Sequence, residues 1–187
     1  SFGNGVDAYE INVSCPNVSH GGMSFGTEPS QVEKLTRKIS TLTKRPVFVK
    51  LSPNVTDIAS IAIAAEQGGA DALTCINTVV GMAIDIENLK PRFARETAGL
   101  SGPAIRPVGV ACVWKASRAV KIPVIGCGGI SSAEDAIEYL LAGASAIQVG
   151  TAIFVDPEVP FKIKTGIARW MERKGVGSIS EIARILK

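Results

Sequence analysis

Glu66-Gln67-Gly68-Gly69-Ala70-Asp71-Ala72 and Leu140-Leu141-Ala142-Gly143-Ala144-Ser145-Ala146 spell the same transition twice: a helix end, a glycine and an Ala-x-Ala strand entry. A ring of equivalent β-α units needs such a recurring turn. Outward from these two stretches, short apolar runs alternate with helical patterns. The runs are 8–13, 47–51, 72–76, 123–126 and 146–150, each nearly continuous, as in strands buried on both faces of a parallel sheet. Thr56 is placed to cap a helix carrying Ile58, Ile61, Ala62 and Ala65, and Ser132 to cap one carrying Ala136, Ile137, Leu140 and Leu141. Similar patterns cover 30–43, 104–120, 157–173 and 178–186. A doubly wound open sheet and a (β/α)8 barrel both accept such units. The repeated turn favours the barrel. Five units do not close a ring that typically takes about 250 residues. The expectation is therefore one α/β domain over 1–187, the last five or so units of a TIM barrel, from a longer enzyme that lacks its N-terminal units here.

Composition narrows the function. The 187 residues are 46% hydrophobic and 20% charged, enough for one domain with a real core. A net charge of +3, spread without runs, gives no reason to expect nucleic acid or an anionic membrane as partner. No apolar stretch reaches the ~20 residues of a membrane span. Four cysteines without a Cys-x-x-Cys pair fit a reducing cytoplasm better than a disulfide scaffold or zinc site.

Reacting groups in barrels gather where strands end. Here those positions hold Asn12 to Asn17, Lys50 to Asn54, Ile76-Asn77-Thr78, Gly99 to Pro103, Gly126 to Ser131, and Gly150-Thr151. Acidic groups are nearly absent from that rim, so no metal is expected. Gly128-Gly129 before Ser131-Ser132, beside Gly150-Thr151, either allow tight turns or present backbone N–H groups to a phosphate. Lys50, in an apolar strand, suits a structural ion pair, a Schiff base or the stabilisation of an anion. Asn12, Asn17 and Asn77 either brace turns or offer donor–acceptor pairs to a planar, imide-like ring. Cys15, ahead of a glycine-rich loop at 20–26, is an inert thiol or a base or nucleophile carried by a closing segment. Cys75, Cys112 and Cys127 are read as packing residues, and His20 as a loop residue.

The order and spacing of these residues resemble one family throughout the chain. Asn12-Val13-Ser14-Cys15-Pro16-Asn17, Val49-Lys50-Leu51-Ser52-Pro53-Asn54-Val55-Thr56-Asp57-Ile58, Ile76-Asn77-Thr78, Gly99-Leu100-Ser101-Gly102-Pro103 and Gly126-Cys127-Gly128-Gly129-Ile130 are similar to dihydroorotate dehydrogenase. The resemblance implies an FMN-containing barrel that oxidises dihydroorotate to orotate in pyrimidine synthesis. It makes Cys15 the base for the substrate C5 proton. By the same resemblance, Asn12 would touch flavin and substrate, and Lys50 would lie near flavin N1 and O2. Ile76 and Gly102 would pack on the ring, while Asn77, Thr78 and Asn17 would hold the pyrimidine. Gly128, Gly129, Gly150 and Thr151 would hold the phosphate. A cysteine base marks the soluble class. Gly81 to Asp85 and the surroundings of Lys90-Pro91 resemble its NAD-linked form, whose partner subunit carries FAD and an iron–sulfur cluster.

Three rivals accompany this reading. A dihydropyrimidine dehydrogenase-like domain shares the Pro-Asn-Val-Thr-Asp-Ile stretch; a lysine aldolase or phosphate-binding isomerase would need no flavin. A fragment without activity is the third. An arc of five units also leaves strand edges and apolar helix faces open, which points to a homo-oligomer or heteromer.

Overall fold

The computed structural model describes residues 5–14, 22–183 and 185–186. Cys15, Asn17 and His20 lie outside the described residues. The elements in chain order are β1 (Tyr9–Asn12), α1 (Gly22–Thr27), α2 (Pro29–Ser40), β2 (Val47–Leu51), α3 (Ile58–Gln67) and β3 (Ala72–Cys75). Then come four short strands, β4 (Val79–Gly81), β5 (Ile84–Asp85), β6 (Lys90–Pro91) and β7 (Ala98–Leu100). The chain continues with α4 (Arg106–Ala119), β8 (Val124–Cys127), α5 (Ala133–Leu141), β9 (Ala146–Gln148), α6 (Val159–Lys174) and α7 (Ile179–Ile182).

Five strands form one parallel sheet in the order β1-β2-β3-β8-β9. Flat, its two edge strands would stand about 19 Å apart, four intervals of about 4.8 Å. Yet Gln148 Nε2 on β9 donates to Glu10 Oε2 on β1 at 2.8 Å. A glutamate and a glutamine cannot bridge the flat distance with one hydrogen bond, so the sheet is curled. The five expected β-α units are present as an arc of a barrel.

Curling gives the sheet an inside and an outside. Outside, Val49, Leu51, Leu73 and Val124 are buried with Ile61, Val113, Ile137 and Leu140 of the helices. Inside, Glu10, Asn12, Lys50, Thr74, Cys127 and Gln148 point across the arc. β2 therefore alternates buried and half-buried positions, where the apolar runs suggested burial on both faces. The reason is that the barrel interior is itself polar and half open at the strand ends.

The repeated turn is the same structure twice. Gly69 and Gly143 have φ of +91° and +113°, which suit glycine. Ala70 N–H donates to Ala65 O and Ala144 N–H to Tyr139 O, at 3.1 and 3.0 Å. Ser40 and Ser117 each donate Oγ–H to the carbonyl just before the glycine, Gly68 O at 3.2 Å and Ala142 O at 3.1 Å. Helix starts are less uniform. Asp57, not Thr56, caps α3, its Oδ1 accepting from Ala59 N–H at 3.0 Å. A carboxylate at a helix N-terminus also gains from the dipole. Ser132 caps α5 as expected, and Asp135 completes a capping box. The glycine-rich segment read as loop includes α1, and 79–100 folds into two antiparallel ribbons, β4 with β7 and β5 with β6. Only a short piece of 178–186 is helical.

Two outcomes follow for stability. A Cβ at Gly143 would sit 2.4 Å from Ser117 Oγ, whereas at Gly175 (φ +64°) it meets open space. Gly143→Ala should cost about 1–3 kcal/mol in denaturant melts and Gly175→Ala distinctly less. Burial raises the Asp135 carboxyl pKa, but bonds from Ser131 and Ser132 and the Arg106 guanidinium more than offset this and hold it below the ordinary range. Its stabilisation is thus complete above the unfolded-state value of about 3.9 and is lost as pH falls through the native value. Asp135→Asn should lower the melting temperature at neutral pH and flatten its fall on acidification.

Candidate flavin and substrate site

A cavity of about 450 Å³ opens at the C-terminal ends of the strands. Lys50, Ile76, Asn77, Thr78, Gly102, Gly128, Gly129, Gly150 and Thr151 all line it, so nine of the sequence-predicted positions converge. Asn12 lines an adjoining hollow of about 660 Å³ that shares Asn77 and Thr78 with the cavity. Cys15 and Asn17 lie outside the described residues.

The amides are tied to each other before any ligand arrives. Asn77 Nδ2 donates to Asn12 Oδ1 at 2.9 Å, and Thr78 N–H donates to Asn77 Oδ1 at 2.9 Å. Ser14 N–H adds a second bond to Asn12 Oδ1 at 3.1 Å. The Asn12 Nδ2 donors have no acceptor among the described residues. Asn54 braces the same loop, donating to Thr78 O and accepting from Val80 N–H. The carboxamides are therefore preorganised rather than independent.

The glycine turns divide their donors. Ser131 and Ser132 N–H both bond the Asp135 carboxylate, at 2.9 and 3.0 Å, and so are not free for a phosphate. The N–H groups of Gly129, Gly150 and Thr151 have no acceptor among the described residues. The N–H groups left open to an anion are thus those of Gly129, Gly150 and Thr151, not those of the helix cap itself. Gly129 has no alternative, because a Cβ there would meet Gly102 O at 2.6 Å and Arg106 N at 2.9 Å. Tyr139, fully buried, donates its hydroxyl to Gly128 O at 2.7 Å and fixes this loop from beneath. Thr151 Oγ1 donates to Ser101 Oγ at 3.1 Å, joining the two sides of the mouth.

Among the described residues, Lys50 is the one cation in the lining and Asp156 the one carboxylate. Asp156 is paired with Lys162 at 2.7 Å, a bond that holds its carboxyl below the usual range. Lys50 pairs with Glu10 at 3.6 Å, so the ion-pair possibility is realised. Cys127, read as packing, instead lines the cavity; its thiol is pushed up by burial, pulled down by Lys50 and pushed up by Glu10. Cys75 is fully buried and burial raises it strongly. Two residues escaped the sequence reading although each left a signal. Glu10 is a carboxylate inside an apolar run, two positions before Asn12. Cys127 sits between two of the rim glycines. No cluster of metal-ligating side chains occurs among the described residues.

The residues present fit FMN. The unspent N–H groups of Gly129, Gly150 and Thr151 suit a phosphate, and a Cβ at Gly102 or Gly150 would enter open space, which leaves room for a ligand against the backbone. Lys50 offers positive charge and Ile76 an apolar surface. The cavity is of ordinary cofactor size.

Comparison with known proteins shows the family. The family model described as dihydroorotate dehydrogenase matches residues 1–171. A relative from Caldicellulosiruptor saccharolyticus, named dihydroorotate dehydrogenase B (NAD(+)), catalytic subunit, is 52% identical over 177 residues. The alignment covers 95% of this chain and 59% of that protein. One of the same name from Pelobacter propionicus is 51% identical over 182 residues, covering 97% of this chain and 60% of its own. The chain thus spans about three-fifths of the length of these relatives. Among solved structures, DHODH from Eimeria tenella in complex with ferulenol superposes with a TM-score of 0.80 at 24% identity, over 95% of this chain and 53% of its own. That likeness shows the fold, an arc of parallel sheet and alternating helices taken from a TIM barrel. With the family model spanning nearly all of the chain, and the rim residues gathered as the motifs require, the chain belongs to the dihydroorotate dehydrogenase family.

Proposed function

We propose that this chain, a single FMN-binding barrel domain, forms the flavin and pyrimidine side of an enzyme that oxidises dihydroorotate to orotate in pyrimidine synthesis. The observation that carries the reading is the convergence of Lys50, Asn77 and the unspent amides of Gly129, Gly150 and Thr151 on one cavity, with Asn12 bonded to Asn77 from the adjoining hollow. Bound there, FMN would supply the acceptor for a hydride leaving substrate C6. The protein's own groups do the remaining work. Cys15, as thiolate, takes the C5 proton, so that the C5–C6 bond becomes double. Asn12 and Asn77, locked to each other, present donors at fixed angles to the ring; Thr78, and Asn17 as the family resemblance implies, would also bond the pyrimidine. The Lys50 ammonium stands ready for negative charge at N1 and O2 of the isoalloxazine. Ile76 and Gly102 flank the ring, and Gly128, Gly129, Gly150 and Thr151 hold the phosphate.

The names of the relatives support an NAD-linked form, in which a partner subunit with FAD and an iron–sulfur cluster passes electrons onward. The reading places the enzyme in the cytoplasm, as a homo-oligomer or heteromer. The three cysteines among the described residues are free thiols, which fits that compartment, and no described helix is long and apolar enough to cross a membrane. Phe154 and Val155, 92% and 89% exposed just after edge strand β9, fit association.

Titrating the protein with FMN should produce a bound flavin band that bleaches on adding dihydroorotate. A protein that ignores FMN, or a bound flavin reduced by dihydrouracil and not by dihydroorotate, contradicts the reading. Gly150→Val, which fills the open space at the phosphate turn, should weaken FMN at least tenfold by fluorescence titration. Cys15→Ser should retain FMN but slow flavin reduction by dihydroorotate by about 10²-fold or more near neutral pH, less so as pH rises.

A further inference from the structure

Glu10 rises from the inner face of β1 two residues before Asn12, one layer deeper in the arc. Its Oε2 accepts from Thr74 Oγ1 at 2.6 Å and from Gln148 Nε2 at 2.8 Å. Its Oε1 faces Lys50 Nζ at 3.6 Å. The three partners come from β3, β9 and β2, so the carboxylate is held from several directions. Two hydrogen bonds fix one oxygen and aim the other at the lysine. The 3.6 Å separation is that of an ion pair, too long for a hydrogen bond. Lys50 Nζ donates no hydrogen bond among the described residues, which leaves its protons to the cavity it lines. Both side chains are about three-quarters buried, at 24% and 28% exposure, so the pair is screened less than a surface one. Cys127, register partner of Gln148, feels both charges with opposite sign.

We propose that Glu10 is a positioning residue acting through Lys50: clamped by Thr74 and Gln148, its carboxylate anchors the ammonium from within the arc and partly cancels the field it projects into the cavity. The consequence for a bound flavin rests on the function proposed above; the charge pair and its effect on Cys127 do not.

Cys127 makes the pair measurable without flavin. The apoprotein is alkylated with iodoacetamide, a neutral reagent, at fixed pH, and labelling of Cys127 and of buried Cys75 is followed by mass spectrometry. Glu10→Gln should speed Cys127 labelling about three- to tenfold by enlarging its thiolate fraction. Lys50→Met should slow it by a similar factor, and the double variant should return near the wild-type rate, with Cys75 unlabelled throughout. Single variants that move the rate in the same direction, or not at all, overturn the proposal. Should Glu10→Gln alone expose Cys75, the double variant decides. A masked Cys75 and a near-wild-type Cys127 rate support the pair, whereas an exposed Cys75 makes Glu10 merely structural and overturns it.

With FMN bound, the midpoint potential should rise in Glu10→Gln and fall in Lys50→Met. If Cys127 responds as stated but no flavin binds, the function reading fails and the pair stands. If flavin binds and its potential moves in Lys50→Met but not in Glu10→Gln, the positioning role fails and the function reading stands.

Discussion

The hydrogen bond between Glu10 on one edge of the sheet and Gln148 on the other is the contact on which the rest of the structure turns. It exists only because five parallel strands are curled, and curling divides the strands into a helix-covered outside and a polar inside. An unpaired carboxylate on that inner face would be costly. Thr74, Gln148 and Lys50 satisfy it, one from each of three other strands. The same arrangement brings Lys50 to the floor of the cavity, with Asn12 and Cys127 beside it. Fold and site are thus joined by one layer of side chains.

Above that layer the rim is built from backbone as much as from side chains. Gly129 fits only as glycine against Gly102 and Arg106, and Tyr139 pins the preceding carbonyl. Asp135 occupies the donors of Ser131 and Ser132 and, through Arg106, ties the start of α5 to the start of α4. The amides left unspent are those facing the cavity. Preorganised donors of this kind bind an anion without reorganisation, which is what a phosphate group exploits.

Much of this was legible in the sequence because it rests on local rules. The five main strands follow from short β-branched runs, and the Gly69 and Gly143 turns from their repeated wording. The rim residues follow from the rule that barrel chemistry sits at strand ends. What escaped depends on contacts distant in the chain. Nothing near Glu10 announces that Gln148, on the far edge strand, will accept it as partner. Cys127 looks like any small apolar residue at a strand end until curvature brings it to the cavity. Asp57 caps α3 where Thr56 was expected because the two are adjacent and both residue types are favoured at a helix start. The ribbons within 79–100 are too short to raise a periodic signal. Likewise, Ser131 and Ser132 looked available to a phosphate because the sequence does not say that Asp135 will claim their N–H groups.

The central claim is that the polar inner layer forms the floor of the cavity proposed to hold FMN. Protection of Cys127 tests it most directly: the protein is alkylated with and without saturating FMN, and Cys127 is compared with Cys112, which is half-buried on α4. The account predicts that FMN suppresses labelling of Cys127 and leaves Cys112 unchanged. Bound FMN with Cys127 still freely labelled would contradict it.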